Sequence, residues 1–134
     1  MKKTRILLIL TVLSLTILSC DPPAYYDYFI INKCNENIDV KIKACTLNCN
    51  TNYSKIVELD LQINPNTTQL IYSDDRTILP LDARMIDYFF EEIIITKGND
   101  ISKINYIDKD LWDFNPISKD HANSYLTITP KDFE

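Results

Sequence analysis

Residues 57–63 read VELDLQI, and apolar and polar side chains alternate through all seven positions. A period of two is typical of a β-strand that buries one face and exposes the other. Residues 38–44, IDVKIKA, show the same alternation. An amphipathic helix would place apolar residues three or four positions apart, so both stretches predict strands.

Further runs of β-branched and aromatic residues extend this pattern in both directions. These runs are residues 26–33, 67–73, 91–97, 101–106 and 124–129. Most of the breaks between them are rich in Asn and Asp, which form turns because they tolerate left-handed φ and bond their own backbone. Gly98, the only glycine, predicts a hairpin turn between residues 91–97 and 101–106. Seven short strands predict an antiparallel sandwich or barrel.

Two stretches do not fit a simple strand pattern. Residues 81–90 are compatible with a short helix, with Asp82 as its N-cap, and equally with an irregular loop. Residues 108–113 are expected to form a turn before Pro116. The alternation of the strands predicts a core that includes Ile30, Val40, Ile42, Leu59, Leu61, Leu70, Ile94 and Leu126.

The N-terminus has the features of an export signal. Three positive charges, Lys2, Lys3 and Arg5, precede an apolar run at residues 6–18. This run is shorter than the roughly 20 residues that a membrane-spanning helix needs. Its length and its charged start are typical of a signal peptide that is removed from the mature protein.

The signal ends in Ile17-Leu18-Ser19-Cys20, which resembles the lipobox of bacterial lipoproteins. The resemblance implies a signal peptide at residues 1–19, which is cleaved before an acylated Cys20. Residues 20–27 would then form a short tether to a domain at residues 28–134. Two or three acyl chains anchor a protein stably, so we expect attachment to the bacterial cell envelope, at the outer membrane. A plain secretory signal or an uncleaved anchor is the alternative.

The composition of the mature chain excludes several classes of partner. Residues 20–134 suffice for one domain, which we expect to be monomeric. Without the three charges of the signal, 11 basic residues face 19 acidic residues, a net charge of −8. Such an acidic domain is not expected to bind nucleic acid or to adsorb to anionic lipid.

Three cysteines remain besides Cys20, namely Cys34, Cys45 and Cys49. Export places them in an oxidising compartment, where disulfides persist. A Cys45–Cys49 bridge is favoured because only three residues separate the two, but Cys34 remains a possible partner of either. Their spacing is a poor match to structural zinc sites.

The mature sequence also resembles a broad group of small Bacteroidetes lipoproteins. The matching features are Tyr26, Tyr28, Ile30 and Asn32 in a first strand, the turn Pro65-Asn66, the hydrophobic strand at residues 89–96, Leu111-Trp112 and the closing strand at residues 125–129. The resemblance covers most of the mature chain and implies an all-β, antiparallel immunoglobulin-like β-sandwich. Its motifs concern packing and turns, and it implies no catalytic residue.

The residues of the mature chain predict no catalytic or metal site. His121 is the only histidine and lies in a polar stretch, 119–123, which we expect to be a loop. The single glycine excludes a glycine-rich phosphate loop. Asp108, Asp110 and Asp113 lack the glycine that a tight calcium loop requires. We therefore expect no metal, no cofactor and no enzymatic activity.

The aromatic residues provide the main candidates for a binding surface. Tyr25, Tyr26 and Trp112 are possible ligand-facing residues, although packing in the core would also explain them. The sequence therefore favours a non-enzymatic binding or scaffold module for an envelope protein or a glycan. One alternative is a small hydrolase or metal-dependent enzyme whose site combines Asp74, Asp75, Asp108 and Asp110. A lipoprotein inhibitor or immunity protein is a further alternative.

Overall fold

Eight β-strands and one helical turn account for most of the chain that the computed structural model describes, which is residues 24–45, 55–74 and 86–134. The elements are β1 (Tyr25–Asn32), β2 (Ile38–Cys45), β3 (Ile56–Ile63), β4 (Thr68–Asp74), α1 (Ile86–Phe89), β5 (Phe90–Lys97), β6 (Asp100–Ile101), β7 (Trp112–Ser118) and β8 (His121–Ile128). Short 3-10 segments occupy Lys109–Leu111 and Pro130–Phe133. None of the helices in these ranges is sufficiently long and apolar to cross a membrane.

The strands form two four-stranded sheets that pack face to face. Sheet A has the order β4-β1-β8-β7, and sheet B has the order β3-β2-β5-β6. All neighbouring strands are antiparallel except β1 and β8, which run parallel. The predicted all-β antiparallel sandwich of two packed sheets is confirmed, with eight strands in the described residues in place of about seven. Its connectivity differs from that of immunoglobulin domains, because β1 and β2 lie in different sheets.

The core lies between the sheets and is formed by the side chains at alternate positions along the strands. Ile30, Val40 and Ile42 are at most 1% exposed, and Leu126 is 2% exposed, as the alternation predicts. Tyr28 lies at the centre of an aromatic group, with its ring close to those of Phe89, Phe90, Trp112 and Tyr72. Through Phe90 this group joins β1 to β5 across the sandwich, and through Trp112 it joins β1 to β7 within sheet A.

Four of the predicted core positions differ in the structure. Leu70 is 44% exposed, because a β-bulge opposite Tyr28 and Phe29 turns Ile71 inward in its place. Ile94 lies opposite Lys41 on the outer face of sheet B, while its neighbours Ile93 and Ile95 are buried. Three consecutive isoleucines do not reveal which of them point inward. Leu59 and Leu61 face the core but are only partly buried, since β3 is an edge strand.

The boundaries of several elements also differ from the predictions. β7 was not predicted, because Pro116 disfavours a strand interior; the structure accommodates the proline because β7 is an edge strand. His121 begins β8 instead of lying in a loop, and β1 begins at Tyr25, within the predicted tether. The second strand of the hairpin has only two residues. Residues 86–89 form a helical turn, and residues 81–85 lie outside the described ranges.

Candidate functional site

The outer face of sheet B carries paired charges. Lys41 lies opposite Asp60, and Lys43 lies between Glu58 and Glu92 in the cross-strand register. The ammonium of Lys43 lies 2.9 Å from the carboxylate of Glu92. Hydrogen bonding and charge attraction by Glu92 raise the pKa of Lys43. This face is a charged surface with more acidic than basic residues, and it presents no aromatic residue among the described positions of β2, β3 and β5 that face outward.

The outer face of sheet A is different, because aromatic and aliphatic side chains meet at its centre. Phe29 on β1 lies directly opposite Tyr125 on β8, and the two rings stack with centroids 5.1 Å apart and an interplanar angle of 17°. Leu70 on β4 lies opposite Phe29 from the other side and is 44% exposed. We call these three residues, Leu70, Phe29 and Tyr125, the aromatic row. It crosses three adjacent strands of one sheet.

A polar cluster lies beside the aromatic row, towards the end of the sandwich where β1 begins. The carboxylate of Asp27 accepts a hydrogen bond from the hydroxyl of Ser73 at 2.5 Å and lies 2.9 Å from Nε2 of His121. The ring of Tyr25, which is 44% exposed, meets the ring of His121 edge-on at 6.3 Å. Asp27 therefore ties β4 to β8 across β1.

Asn123 joins the polar cluster to the aromatic row. Its Nδ2 donates a hydrogen bond to the hydroxyl of Tyr125 at 3.0 Å. Its Oδ1 is buried and has no hydrogen-bond partner within the described part of the chain. An unpaired buried acceptor is costly, and this oxygen lies below the surface, out of reach of a bound molecule in this conformation. We use the name sheet A face for the aromatic row together with Tyr25, Asp27, Ser73, His121 and Asn123.

Polar contacts also organise the turn that leads into β8. The hydroxyl of Ser118 donates a hydrogen bond to the carboxylate of Asp120, and this bond holds the pKa of Asp120 below its usual value. The carbonyl of Asp120 accepts a hydrogen bond from the backbone N–H of Tyr25 at 2.7 Å. The start of β1 and the start of β8 are therefore joined directly beside His121.

Of the three aromatic residues predicted to face a ligand, only Tyr25 lies on the surface. Tyr26 is 3% exposed and packs against Phe89, and Trp112 is 6% exposed. Trp112 stacks on Phe90, and its indole N–H donates to the backbone carbonyl of Tyr106 at 2.8 Å. The prediction of Tyr26 and Trp112 as ligand-facing residues is wrong, because both point into the core.

Phe29 and Tyr125, the central residues of the sheet A face, were not predicted as candidates. The alternation along β1 contained the relevant signal: once Tyr28 and Ile30 are placed in the core, Phe29 must point outward. The same reasoning from buried Leu126 places Tyr125 outward. Their contact was not visible in the sequence, because it depends on the parallel pairing of the first strand with the last.

The cysteines divide into bonded and free groups. Cys45 is disulfide-bonded, whereas Cys34 is a free thiol at 0% exposure, and its burial raises its pKa. β2 is about 23 Å long from Ile38 to Cys45, and Cys34 lies in the turn before its first residue, at the other end of the strand from Cys45. Cys34 is therefore not a disulfide partner. Cys49 and Cys20 lie outside the described residues, and the Cys45–Cys49 bridge stays a prediction.

The carboxylates of the hypothetical enzyme site do not meet. Asp74 ends β4 near the start of β1, whereas Asp108 and Asp110 precede β7 at the opposite end of the sandwich. Asp108 caps a 3-10 turn by accepting a hydrogen bond from the backbone N–H of Asp110. Asp75 lies outside the described residues. Within the described ranges, no three His, Cys, Asp or Glu side chains are grouped as metal ligands.

Comparison with protein-family models, curated proteins and solved structures found no match to the chain.

Proposed function

We propose that the protein is a lipid-anchored lipoprotein of the bacterial envelope and a non-enzymatic binding module that contacts an envelope protein through the sheet A face. The observation that carries this proposal is the aromatic row. Its three apolar side chains lie together on the outside of the sheet, where Leu70 is exposed and Phe29 and Tyr125 are half-buried, and they do not contribute to the core. An exposed apolar patch with a polar rim is typical of protein–protein contact surfaces.

The arrangement of the rings favours a protein over a glycan as the partner. Phe29 and Tyr125 stack on each other, so each ring covers one face of the other. Sugar recognition by stacking requires open ring faces, whereas a protein surface also packs against ring edges and aliphatic groups. Leu70 adds an aliphatic contact, and Asp27, His121 and Asn123 offer hydrogen bonds around the row. This combination resembles the apolar centre and polar rim of protein interfaces.

The order of groups in the polar cluster supports a binding role over a catalytic one. In Ser-His-Asp enzymes the imidazole contacts the serine hydroxyl and accepts its proton. Here the carboxylate of Asp27 lies between the hydroxyl of Ser73 and the imidazole of His121. Ser73 is therefore bonded to an acceptor that does not serve as the base of such a triad. We propose a structural and rim-contact role for these three residues.

The anchor in this proposal is acylated Cys20. β1 begins at Tyr25, and four residues separate it from Cys20. Even when fully extended, this stretch allows at most about 17 Å between the Cα atoms of Cys20 and Tyr25. The end of the sandwich that carries Tyr25 and His121 would then face the membrane. The aromatic row lies four residues farther along β1, about 13 Å from that end.

We expect Cys20→Ala to release the protein from the membrane fraction, because the change removes the acylated sulfur. Fractionation followed by intact-mass analysis measures this. The wild-type chain should begin at Cys20 and carry the mass of two or three acyl groups, and it should remain with the membranes. An unmodified Cys20, or a leader that remains attached, would contradict the proposed anchor.

The partner protein is co-purified with the chain from detergent-solubilised envelopes. We expect the double variant Phe29→Ser with Tyr125→Ser to retain at least about tenfold less of this partner than the wild type. Loss of central aromatic contacts typically costs 2 kcal/mol or more of binding free energy. The matched control is Lys41→Ser with Ile94→Ser, a cross-strand pair on the outer face of sheet B. Equal recovery with both double variants would contradict the assignment of the surface. Recovery of a glycan in place of a protein would contradict the assignment of the partner.

A further inference from the structure

The two sheets have four edges, and three of them carry features that oppose the addition of another strand. The bulge opposite Tyr28 and Phe29 interrupts β4. Pro116 and a register shift interrupt β7, and β6 has only two residues. Proteins use bulges, prolines and short strands to protect sheet edges in this way. Within the described ranges, β3 is the edge that has none of these features.

β3 is a long and regular edge strand. Its eight residues pair with β2 one for one from Ile63 to Ile56, without a register shift. It contains no proline and no residue with positive φ. Its outer edge therefore offers a straight row of backbone N–H and C=O groups, which no strand among the described residues pairs.

The side chains of β3 that face the core leave apolar surface exposed along this edge of sheet B. Val57, Leu59 and Leu61 are only partly buried. Val40 and Ile42, the residues of β2 opposite Leu61 and Leu59, are 0% and 1% exposed. An added strand with aliphatic residues on its inner side would cover the remaining surface of the β3 side chains.

The outward side chains of β3 indicate the charge of the added strand. Across sheet B the charges alternate in register, from Glu92 on β5 to Lys43 on β2 to Glu58 on β3, and Lys41 on β2 also lies opposite Asp60 on β3. The next strand would continue this pattern with Lys or Arg, because opposite charges on neighbouring strands stabilise a pair. A second copy of β3 would instead bring acidic residues together, and like charges oppose that pairing.

We propose that the outer edge of β3 binds an extended segment of a partner protein that alternates Lys or Arg with aliphatic residues, by strand addition to sheet B. Backbone hydrogen bonds supply the affinity, and the alternating side chains supply the specificity. The basic side chains meet Glu58 and Asp60, while the aliphatic ones cover Leu59 and Leu61. This edge belongs to sheet B, so the inference does not depend on the contact surface proposed for sheet A.

The test uses the full-length chain in detergent and an acetylated eight-residue peptide of alternating Lys and Val. We expect saturable binding by fluorescence anisotropy, together with slower hydrogen exchange of those amides in residues 56–63 that point away from β2. The double variant Glu58→Lys with Asp60→Lys should weaken binding at least about tenfold, whereas Asp113→Lys, a charge reversal on β7, should not. A peptide methylated on every backbone nitrogen should not bind, because strand addition needs the N–H donors of the edge that pairs with β3.

Several results would overturn the inference. Absence of binding, or binding that leaves exchange in residues 56–63 unchanged, would show that no strand is added. Equal binding of the methylated peptide would show that charge attraction alone is responsible. If exchange of the β3 amides that point away from β2 is already slow in the free protein, a segment of this chain covers the edge. If that slow exchange appears only at high protein concentration, a second copy covers it.

Discussion

Asn32→Ala is expected to lower the free energy of unfolding by about 3 kcal/mol or more, because Asn32 joins two loops through buried hydrogen bonds. Asn32 is 0% exposed, and its Nδ2 donates to the backbone carbonyls of Glu36, Ile63 and Asn64 at 2.9, 3.0 and 3.2 Å. Its Oδ1 accepts a hydrogen bond from the N–H of Cys34 at 2.9 Å. Alanine would leave several of these backbone groups without partners in the protein interior.

Urea denaturation of the wild type and the variant measures this effect. Asn35→Ala is the matched control, because Asn35 lies in the same loop and is exposed. We expect the control to stay within about 0.5 kcal/mol of the wild type, as is usual for surface substitutions. A cost below about 1 kcal/mol for Asn32→Ala would mean that water or neighbouring groups satisfy the backbone atoms that Asn32 now bonds.

Tyr28→Ala should lower the free energy of unfolding by a comparable amount, about 3–5 kcal/mol, because it removes the central ring of the core. Tyr28 is 1% exposed, and its ring centroid lies 5.0 Å from that of Phe90, 5.6 Å from that of Phe89 and 5.9 Å from that of Trp112. These contacts join the two sheets, and the cavity left by alanine would lie between them.

The adjacent residue on the same strand provides the control for Tyr28. Phe29 points to the other side of sheet A and stacks on Tyr125. Phe29→Ala removes one ring contact and a side chain that is only half-buried. We therefore expect the free energy of unfolding to fall by about 1–2 kcal/mol in the same urea experiment. If Phe29→Ala costs as much as Tyr28→Ala, Phe29 belongs to the core, and the sheet A face is not a free surface.

The alternation of side chains predicted the architecture well, because it reports which face of a strand is buried. The runs at residues 38–44 and 57–63 lie side by side as β2 and β3, and Val40, Ile42, Ile30 and Leu126 occupy the core as predicted. Where the pattern was ambiguous, the prediction was wrong. Leu70 depended on a bulge, and Ile94 depended on the phase of a run of isoleucines.

The candidate surface depended on contacts between distant parts of the chain, and the sequence contained little information about those. Asp27 and His121 are 94 positions apart and meet only because β1 pairs in parallel with β8. The exposure of Tyr25 and the burial of Tyr26 follow from their opposite directions on β1. The aromatic composition of residues 25–28 alone could not distinguish a binding surface from a core.

Site-specific photocrosslinking in intact envelopes tests the proposed contact surface most directly. A photoreactive phenylalanine analogue is placed at Tyr125 on the sheet A face in one variant, and at Lys41 on the outer face of sheet B in the other. The proposal predicts one discrete protein adduct from the position of Tyr125, identified by mass spectrometry, and none of that adduct from the position of Lys41. The same adduct from both positions, or from Lys41 alone, or no protein adduct from Tyr125, would contradict the sheet A face as the binding surface.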